Sequence, residues 1–150
     1  MKRTLRVLIG FAAGCLVGAY TALLFAITPA ELTAMPWDGA IDRLAWIADA
    51  GWKLAFLFAL FSLPVGGLAI VLAERRAIRS GTYYAVAGLV IALAGYVIQA
   101  GSALLAAPMV AVAYSAVAYA TTGAIAGSVY WVISGRRAGN AATAPPIRTA

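Results

Sequence analysis

Residues 80–135 read SGTYYAVAGLVIALAGYVIQAGSALLAAPMVAVAYSAVAYATTGAIAGSVYWVISG, which is 56 residues without a charged side chain. One straight helix of that length would measure about 84 Å, far more than the ~30 Å hydrocarbon core of a bilayer. The stretch must therefore fold back on itself. Pro108, near its middle, lacks a backbone N–H and disfavours helix at the residue before it. We therefore predict a helical hairpin with spans at about 82–105 and 110–133.

The composition of the whole chain is typical of a membrane protein. Hydrophobic residues make up 64% and charged residues 11% of the 150 residues, and the mean hydropathy is +0.93. Because soluble domains carry about 25% charged residues, this chain could not cover a core with a water-soluble surface. It has no histidine, one cysteine and five carboxylates, which leaves little for catalysis or metal binding. We expect no enzyme activity, no cofactor and no metal site.

Two further uncharged runs, at about 7–27 and 54–73, precede the long stretch. Each has the ~20 residues that a helix needs to cross a bilayer. Neither alternates as a barrel strand does, and helices satisfy their own backbone hydrogen bonds in lipid. The predicted fold class is all-α: a polytopic four-transmembrane-helix bundle forming a single domain over residues 1–137. A disordered cytoplasmic tail is expected at 138–150, where no periodic apolar face continues.

Positive charge marks one side of the membrane. Nine of the eleven Lys and Arg residues lie before span one, between spans two and three, or after span four, whereas Arg43 and Lys53 lie between spans one and two. Short loops rich in Lys and Arg stay in the cytoplasm, so we place both termini in the cytoplasm, at a bacterial inner membrane. Topology thereby explains the net charge of +6, and no nucleic-acid partner is expected.

The first span has rival interpretations. Basic residues followed by an apolar run resemble a secretory signal, and residues 12–15 (AAGC) are close to the signal box of bacterial lipoproteins. The apolar run of 21 residues exceeds the ~7–15 of a signal core, and the residues after Cys15 remain apolar. These features favour an uncleaved first helix, although a processed signal would leave the other spans oriented as before.

An amphipathic segment at about 37–50 separates spans one and two. Trp37, Ile41, Leu44 and Ala48 recur with helical spacing on one face. The opposite face carries three aspartates: Asp38, Asp42 and Asp49. A short helix of this kind between two spans is expected to lie in the outer interface of the membrane and to end at Gly51.

Small residues repeat along three of the spans. Small side chains let helix backbones approach closely in lipid, where no hydrophobic force drives helices together. The faces of spans three and four are expected to pack on each other, while the face of span one packs either within the bundle or on a partner chain. The residues concerned are Gly10, Gly14 and Gly18 on span one, Gly88, Gly95 and Gln99 on span three, and Gly123 and Gly127 on span four.

Two positions within the spans invite a functional interpretation. Gln99 is the most polar side chain in any span, and polar groups in membrane helices often mark function. A hydrogen bond across helices, with Tyr96 or Tyr119 as the partner, is the favoured alternative. Pro64 is expected to kink span two, although broken helices also coordinate substrates in transporters.

These patterns favour a small non-enzymatic membrane protein, an accessory or assembly subunit that associates through small-residue helix faces. The alternative is a homo-oligomeric small transporter or channel subunit, for which Gln99, the break at Pro64 and the glycine repeat would be useful. The expected partners are membrane lipids and either another membrane protein or a second copy of this chain.

Overall fold

The computed structural model describes residues 2–26, 36–101 and 108–138, and this part of the chain is 91% helical and contains no strand. Four long helices follow one another: α1 (Lys2–Phe25), α2 (Trp37–Arg75), α3 (Gly81–Ala100) and α4 (Met109–Ile133). A short 3₁₀ turn, Gly135–Arg137, follows α4. Each long helix is apolar enough and long enough to cross a membrane. The predicted all-α fold with four membrane-length helices is thus confirmed for the described residues.

The helix α4 has the most extensive packing in the bundle. It lies along α3 on one side and along α1 on another, and α1 also packs on α2. The contact between α2 and α3 is much smaller. It includes a hydrogen bond of 3.0 Å from the Tyr83 hydroxyl to the Ala69 carbonyl, close to the short connection between these helices.

One end of the bundle, called the basic end below, contains the start of α1, the connection 76–80 and residues 134–138. Its core consists of Ala73, Tyr84 and Tyr130. The rings of Tyr84 and Tyr130 lie 5.4 Å apart, and the Tyr84 hydroxyl donates to the Ile78 carbonyl at 3.1 Å. The described arginines at this end are Arg3, Arg6, Arg75, Arg76, Arg79, Arg136 and Arg137.

The amphipathic segment is not a separate helix, contrary to the sequence prediction. It forms the first part of α2, which runs without interruption through Gly51. Glycine keeps its backbone N–H, and within a helix it costs only about 1 kcal/mol relative to alanine, so it does not end a helix by itself. Here Gly51 is buried beside the ring of Tyr20, whose hydroxyl donates to the Ala48 carbonyl at 3.1 Å. Tertiary contact therefore supports continuous helix at this point.

Two predicted boundaries also differ from the structure. The helix α3 ends at Ala100 instead of 105, because Gly101 adopts a positive φ of 47° that glycine tolerates and other residues disfavour. Ala138, predicted to begin the disordered tail, is buried and accepts a hydrogen bond of 3.0 Å from Arg79 Nε. The rest of that tail (139–150), residues 102–105 of the predicted third span, residues 106 and 107 of the predicted turn and residue 27 of the first span lie outside the described residues.

The helix α2 continues across Pro64 as well. Proline removes one backbone hydrogen bond and its ring clashes with the preceding turn, so a bend at this point remains a prediction.

Candidate functional site

The glycine face of α1 lies against α4. An added Cβ at Gly10 would be 3.1 Å from the Ser134 Cβ, and one at Gly14 would be 3.0 Å from the Ala126 carbonyl oxygen. At Gly18 the nearest atom would be the Ala126 Cβ at 3.3 Å. All three glycines are buried. The face thus packs inside the chain, against α4. Of the two possibilities left open by the sequence, packing within the bundle is the one the structure contains.

The closest approach in the bundle joins α3 to α4. A Cβ on Gly88 would overlap the Gly123 carbonyl, and one on Gly127 would overlap the Tyr84 carbonyl. An added Cβ at Gly123 would lie 2.6 Å from the Cβ of Ala92. Spans three and four therefore meet through Gly88, Gly123 and Gly127, as the spacing of small residues predicted.

Gly95 does not take part in this contact, although the sequence placed it in the same stripe. It is exposed, and a Cβ there would meet no atom within 4 Å. The neighbouring Tyr96 and the Tyr119 of α4 stack with their ring centroids 5.0 Å apart. Two aromatic rings between helices keep the backbones farther apart than glycine does, so the close contact ends before Gly95.

Gln99 has a hydrogen-bond partner on α4. Its Oε1 accepts a bond of 2.8 Å from the Tyr119 hydroxyl, which is one of the two partners expected from the sequence. The Gln99 side chain is exposed at the surface of the bundle. This geometry is that of a polar clasp between α3 and α4 near the end of the bundle opposite the basic end.

Tyrosine hydroxyls link every pair of neighbouring helices, and sequence reasoning missed this role. In each link the hydroxyl donates to a main-chain carbonyl on another helix at 2.9–3.3 Å. The signal available in the sequence was the position of tyrosines near span ends, which interfacial anchoring also explains. The links are Tyr20 to Ala48 (α1–α2), Tyr83 to Ala69 (α3–α2), Tyr96 to Val112 (α3–α4) and Tyr114 to Phe25 (α4–α1).

The register of α1 against α2 shows that α2 extends beyond its neighbour. Cys15 Sγ lies 3.9 Å from Ser62 Oγ, and Gly18 lies beside Phe58. Residues 37–51 are called the outer extension below. The side chain of Tyr20 contacts this segment at Ala48 and Gly51, and its remaining residues, 37–47, continue the helix for about 16 Å at 1.5 Å per residue.

The outer extension carries an exposed apolar stripe. Trp37 is 85% exposed, and Ile41 and Leu44 are each 62% exposed. With helical spacing, the stripe continues through Gly51 into the side of α2 that contacts α1 at Phe58 and Ser62. The stripe is thus a continuation, toward the start of α2, of the face that contacts α1.

Three aspartates share one side of this helix, about a third of a turn around the axis from the stripe. Asp49 forms an ion pair of 2.5 Å with Lys53, whereas Asp38 and Asp42 make no ion pair with any described residue. Arg43 is stacked on the Trp46 ring, 4.6 Å from its centroid. The outer extension therefore combines apolar and negatively charged surface.

The described part of the chain holds no group of three or more His, Cys, Asp or Glu residues that could bind a metal ion. Cys15 is half-buried between α1 and α2 beside Ser62, whose hydroxyl donates to the Phe58 carbonyl at 2.6 Å.

No protein-family model matches the chain, and searches of curated proteins and of solved structures also found no match.

Proposed function

We propose that this chain is a small integral membrane protein of a bacterial inner membrane that acts as an accessory or assembly subunit. Its four helices turn large apolar side chains outward: Phe56 is 70% exposed, and Phe61 and Leu68 are each 72% exposed. Water-soluble monomers rarely expose continuous apolar surface of this kind, whereas acyl chains would cover it. Helices with internally satisfied backbones suit that environment.

The charge distribution supports an orientation with both termini in the cytoplasm. The arginines of the basic end lie together, close to the start of α1 and the end of α4. The opposite end carries Asp38, Asp42 and Asp49 on the outer extension. Because short loops rich in Lys and Arg remain cytoplasmic, the outer extension would project on the other side of the membrane.

The outer extension is the observation that carries the assembly role. It presents Trp37, Ile41 and Leu44 as exposed side chains. They lie near the start of α2, on the same helix face that α1 covers farther along. An exposed apolar stripe on a rigid helix is a common docking surface, because a second amphipathic segment can bury it. A partner protein on the outer side of the membrane would complete this packing.

The aspartates indicate the chemistry of that partner. Asp38 and Asp42 lie on one side of the stripe and form no ion pair with a described residue, so basic side chains on the partner would complement them. A second copy in the same orientation would instead bring two acidic faces together. The proposed partner surface is an apolar segment flanked by Lys or Arg.

The transporter or channel alternative has no specific observation in its favour. The Gln99 carbonyl oxygen is bound by Tyr119, and the glycines of α1 are covered by α4. Both features have a structural role within this chain.

The proposed function predicts that Leu44→Ala weakens partner binding and leaves the bundle folded. Burial of a leucine contributes about 1.5–3 kcal/mol, so the loss of most of that side chain is expected to reduce affinity about tenfold. Native mass spectrometry of the gently solubilised protein measures how much partner is retained. Leu60→Ala is the matched control, since Leu60 lies on the same helix inside the apolar span and is equally exposed, at 60%.

Support requires a distinct protein in the complex of the wild type and of Leu60→Ala, with reduced occupancy for Leu44→Ala. A complex containing only copies of the 15.4 kDa chain would favour the homo-oligomeric alternative. A distinct partner retained equally by both variants would contradict docking through the outer extension.

A further inference from the structure

A shallow apolar hollow runs along the outer side of α4. It has a volume of about 670 Å³ and is open to the outside of the bundle, and this volume is in the range of small-molecule sites. Its lining is mostly apolar and includes two hydroxyl side chains, Thr121 and Ser128. The hydroxyl of Ser128 donates to the Ala124 carbonyl at 2.7 Å. Lining residues include Leu89 of α3 and Ala120, Ala124, Ile125, Ser128 and Val132 of α4.

The length of the hollow matches one leaflet of a membrane. From Ala120 to Val132 the helix rises about 18 Å, and half of a bilayer core is about 15 Å. Its Val132 end lies at the basic end of the bundle. An acyl chain that followed the hollow would therefore have its headgroup beside positive charge.

Trp131 and Arg136 lie close in the chain to Val132 and Ile133, the lining residues at the basic end of the hollow. The indole N–H of Trp131 donates to the Arg79 carbonyl at 2.8 Å, which holds the ring in place. The guanidinium carbon of Arg136 lies 4.4 Å from the centroid of that ring. A guanidinium stacked on an aromatic face keeps its N–H groups available at its edge, in the geometry that binds phosphate. Arg136 is exposed and thus accessible to a ligand.

We propose that this hollow and Arg136 together bind one anionic phospholipid, with an acyl chain along α4 and the phosphate at the Arg136 guanidinium. The inference rests on the proposed insertion of the bundle into a membrane. Charge complementarity favours this occupant, because the lining is mostly apolar and the nearby Arg136 is cationic. A parallel second copy in the hollow would place two arginine-rich ends side by side, which is unfavourable.

Native mass spectrometry with phosphatidylglycerol and phosphatidylcholine of identical acyl chains tests the site. The wild type is expected to retain one phosphatidylglycerol in preference to phosphatidylcholine. Arg136→Gln should weaken phosphatidylglycerol binding about fivefold, as expected for loss of one cation near a lipid surface. Arg76→Gln is the matched control, because Arg76 is also exposed at the basic end and lies in the connection between α2 and α3. An equal loss for both variants would overturn the site in favour of general attraction to the basic end.

A second arm tests the hollow. Ala124→Phe should fill it and weaken phosphatidylglycerol binding while the melting temperature stays close to that of the wild type. If this variant does not fold, glycerol 3-phosphate, which has no acyl chains, is added as a competitor of phosphatidylglycerol. Effective competition would overturn the role of the hollow. Alkaline extraction of the wild type from membranes would refute insertion itself, whereas an inserted protein without preference for phosphatidylglycerol would refute only the lipid site.

Discussion

Gly123 marks the position at which the backbones of α3 and α4 leave no room for a side chain. A methyl group there would lie 2.6 Å from the Cβ of Ala92 and would overlap the Gly88 carbonyl. Contacts of this kind cannot relax by rotation of a side chain, because the atom in the way belongs to a main chain. The two helices would have to separate, and their neighbours would have to follow.

Gly123→Leu is therefore expected to destabilise the bundle by about 3 kcal/mol or more, the upper range for overpacking of a close contact. The measurement is thermal unfolding in detergent, followed by circular dichroism. Gly95→Leu is the control, since Gly95 is on the partner helix with no atom near its missing Cβ, and it should change stability by less than about 0.5 kcal/mol. Equal melting temperatures for the two variants would contradict the observed contact of α3 with α4.

The hydrogen bond between Tyr119 and Gln99 is a second contact between α3 and α4 that depends on single residues. Tyr119→Phe removes the donor of the 2.8 Å hydrogen bond and retains the ring that stacks on Tyr96. A double-mutant cycle with Gln99→Leu should give a coupling of about 0.6 kcal/mol, typical of hydrogen bonds between membrane helices. Strict additivity of the two substitutions would show that the hydroxyl and the amide act independently.

The helix α1 is held between α2 and α4 by two different kinds of contact. Its glycines lie on α4, while Tyr20 and Cys15 reach α2. A helix packed on two sides inside its own chain has no glycine face left for a partner. We therefore place the proposed assembly role on the outer extension of α2 instead of on α1, where the glycine repeat suggested it.

Gly14→Leu tests whether the glycine face of α1 packs inside the bundle. The added side chain would push against the Ala126 main chain, so the melting temperature should fall and no folded, partner-free protein should remain. Ala12→Leu on the exposed side of α1 should be nearly neutral. A stable Gly14→Leu variant that has lost only its partner would restore the docking interpretation of the glycine face.

For the molecule as a whole, orientation is the property on which the proposed docking on the outer side of the membrane depends. A reporter that is active only in the cytoplasm should work when it is fused after residue 137, at the basic end. The same reporter inserted near Asp42, on the outer extension, should be inactive. The reverse pattern would place the arginines outside and would contradict the orientation drawn from the positive charges.

Much of the architecture follows from the sequence alone. Uncharged runs of about 20 residues predicted four membrane-length helices, and Pro108 predicted the break directly before α4. These features can be predicted from the sequence because hydropathy and the missing N–H of proline depend on a few neighbouring residues only. The spacing of Gly88, Gly123 and Gly127 likewise predicted a contact that the structure contains.

The tertiary structure decided which faces meet and where the contacts end. Gly95 and Gly88 are seven residues apart and share a helix face, yet only Gly88 touches α4, because the Tyr96 and Tyr119 rings separate the backbones near Gly95. The continuity of α2 through Gly51 depends in the same way on Tyr20, which comes from another helix. Periodicity specifies the direction in which a side chain points along its own helix, but the distance to the next helix is set by the largest side chains that both helices place between them.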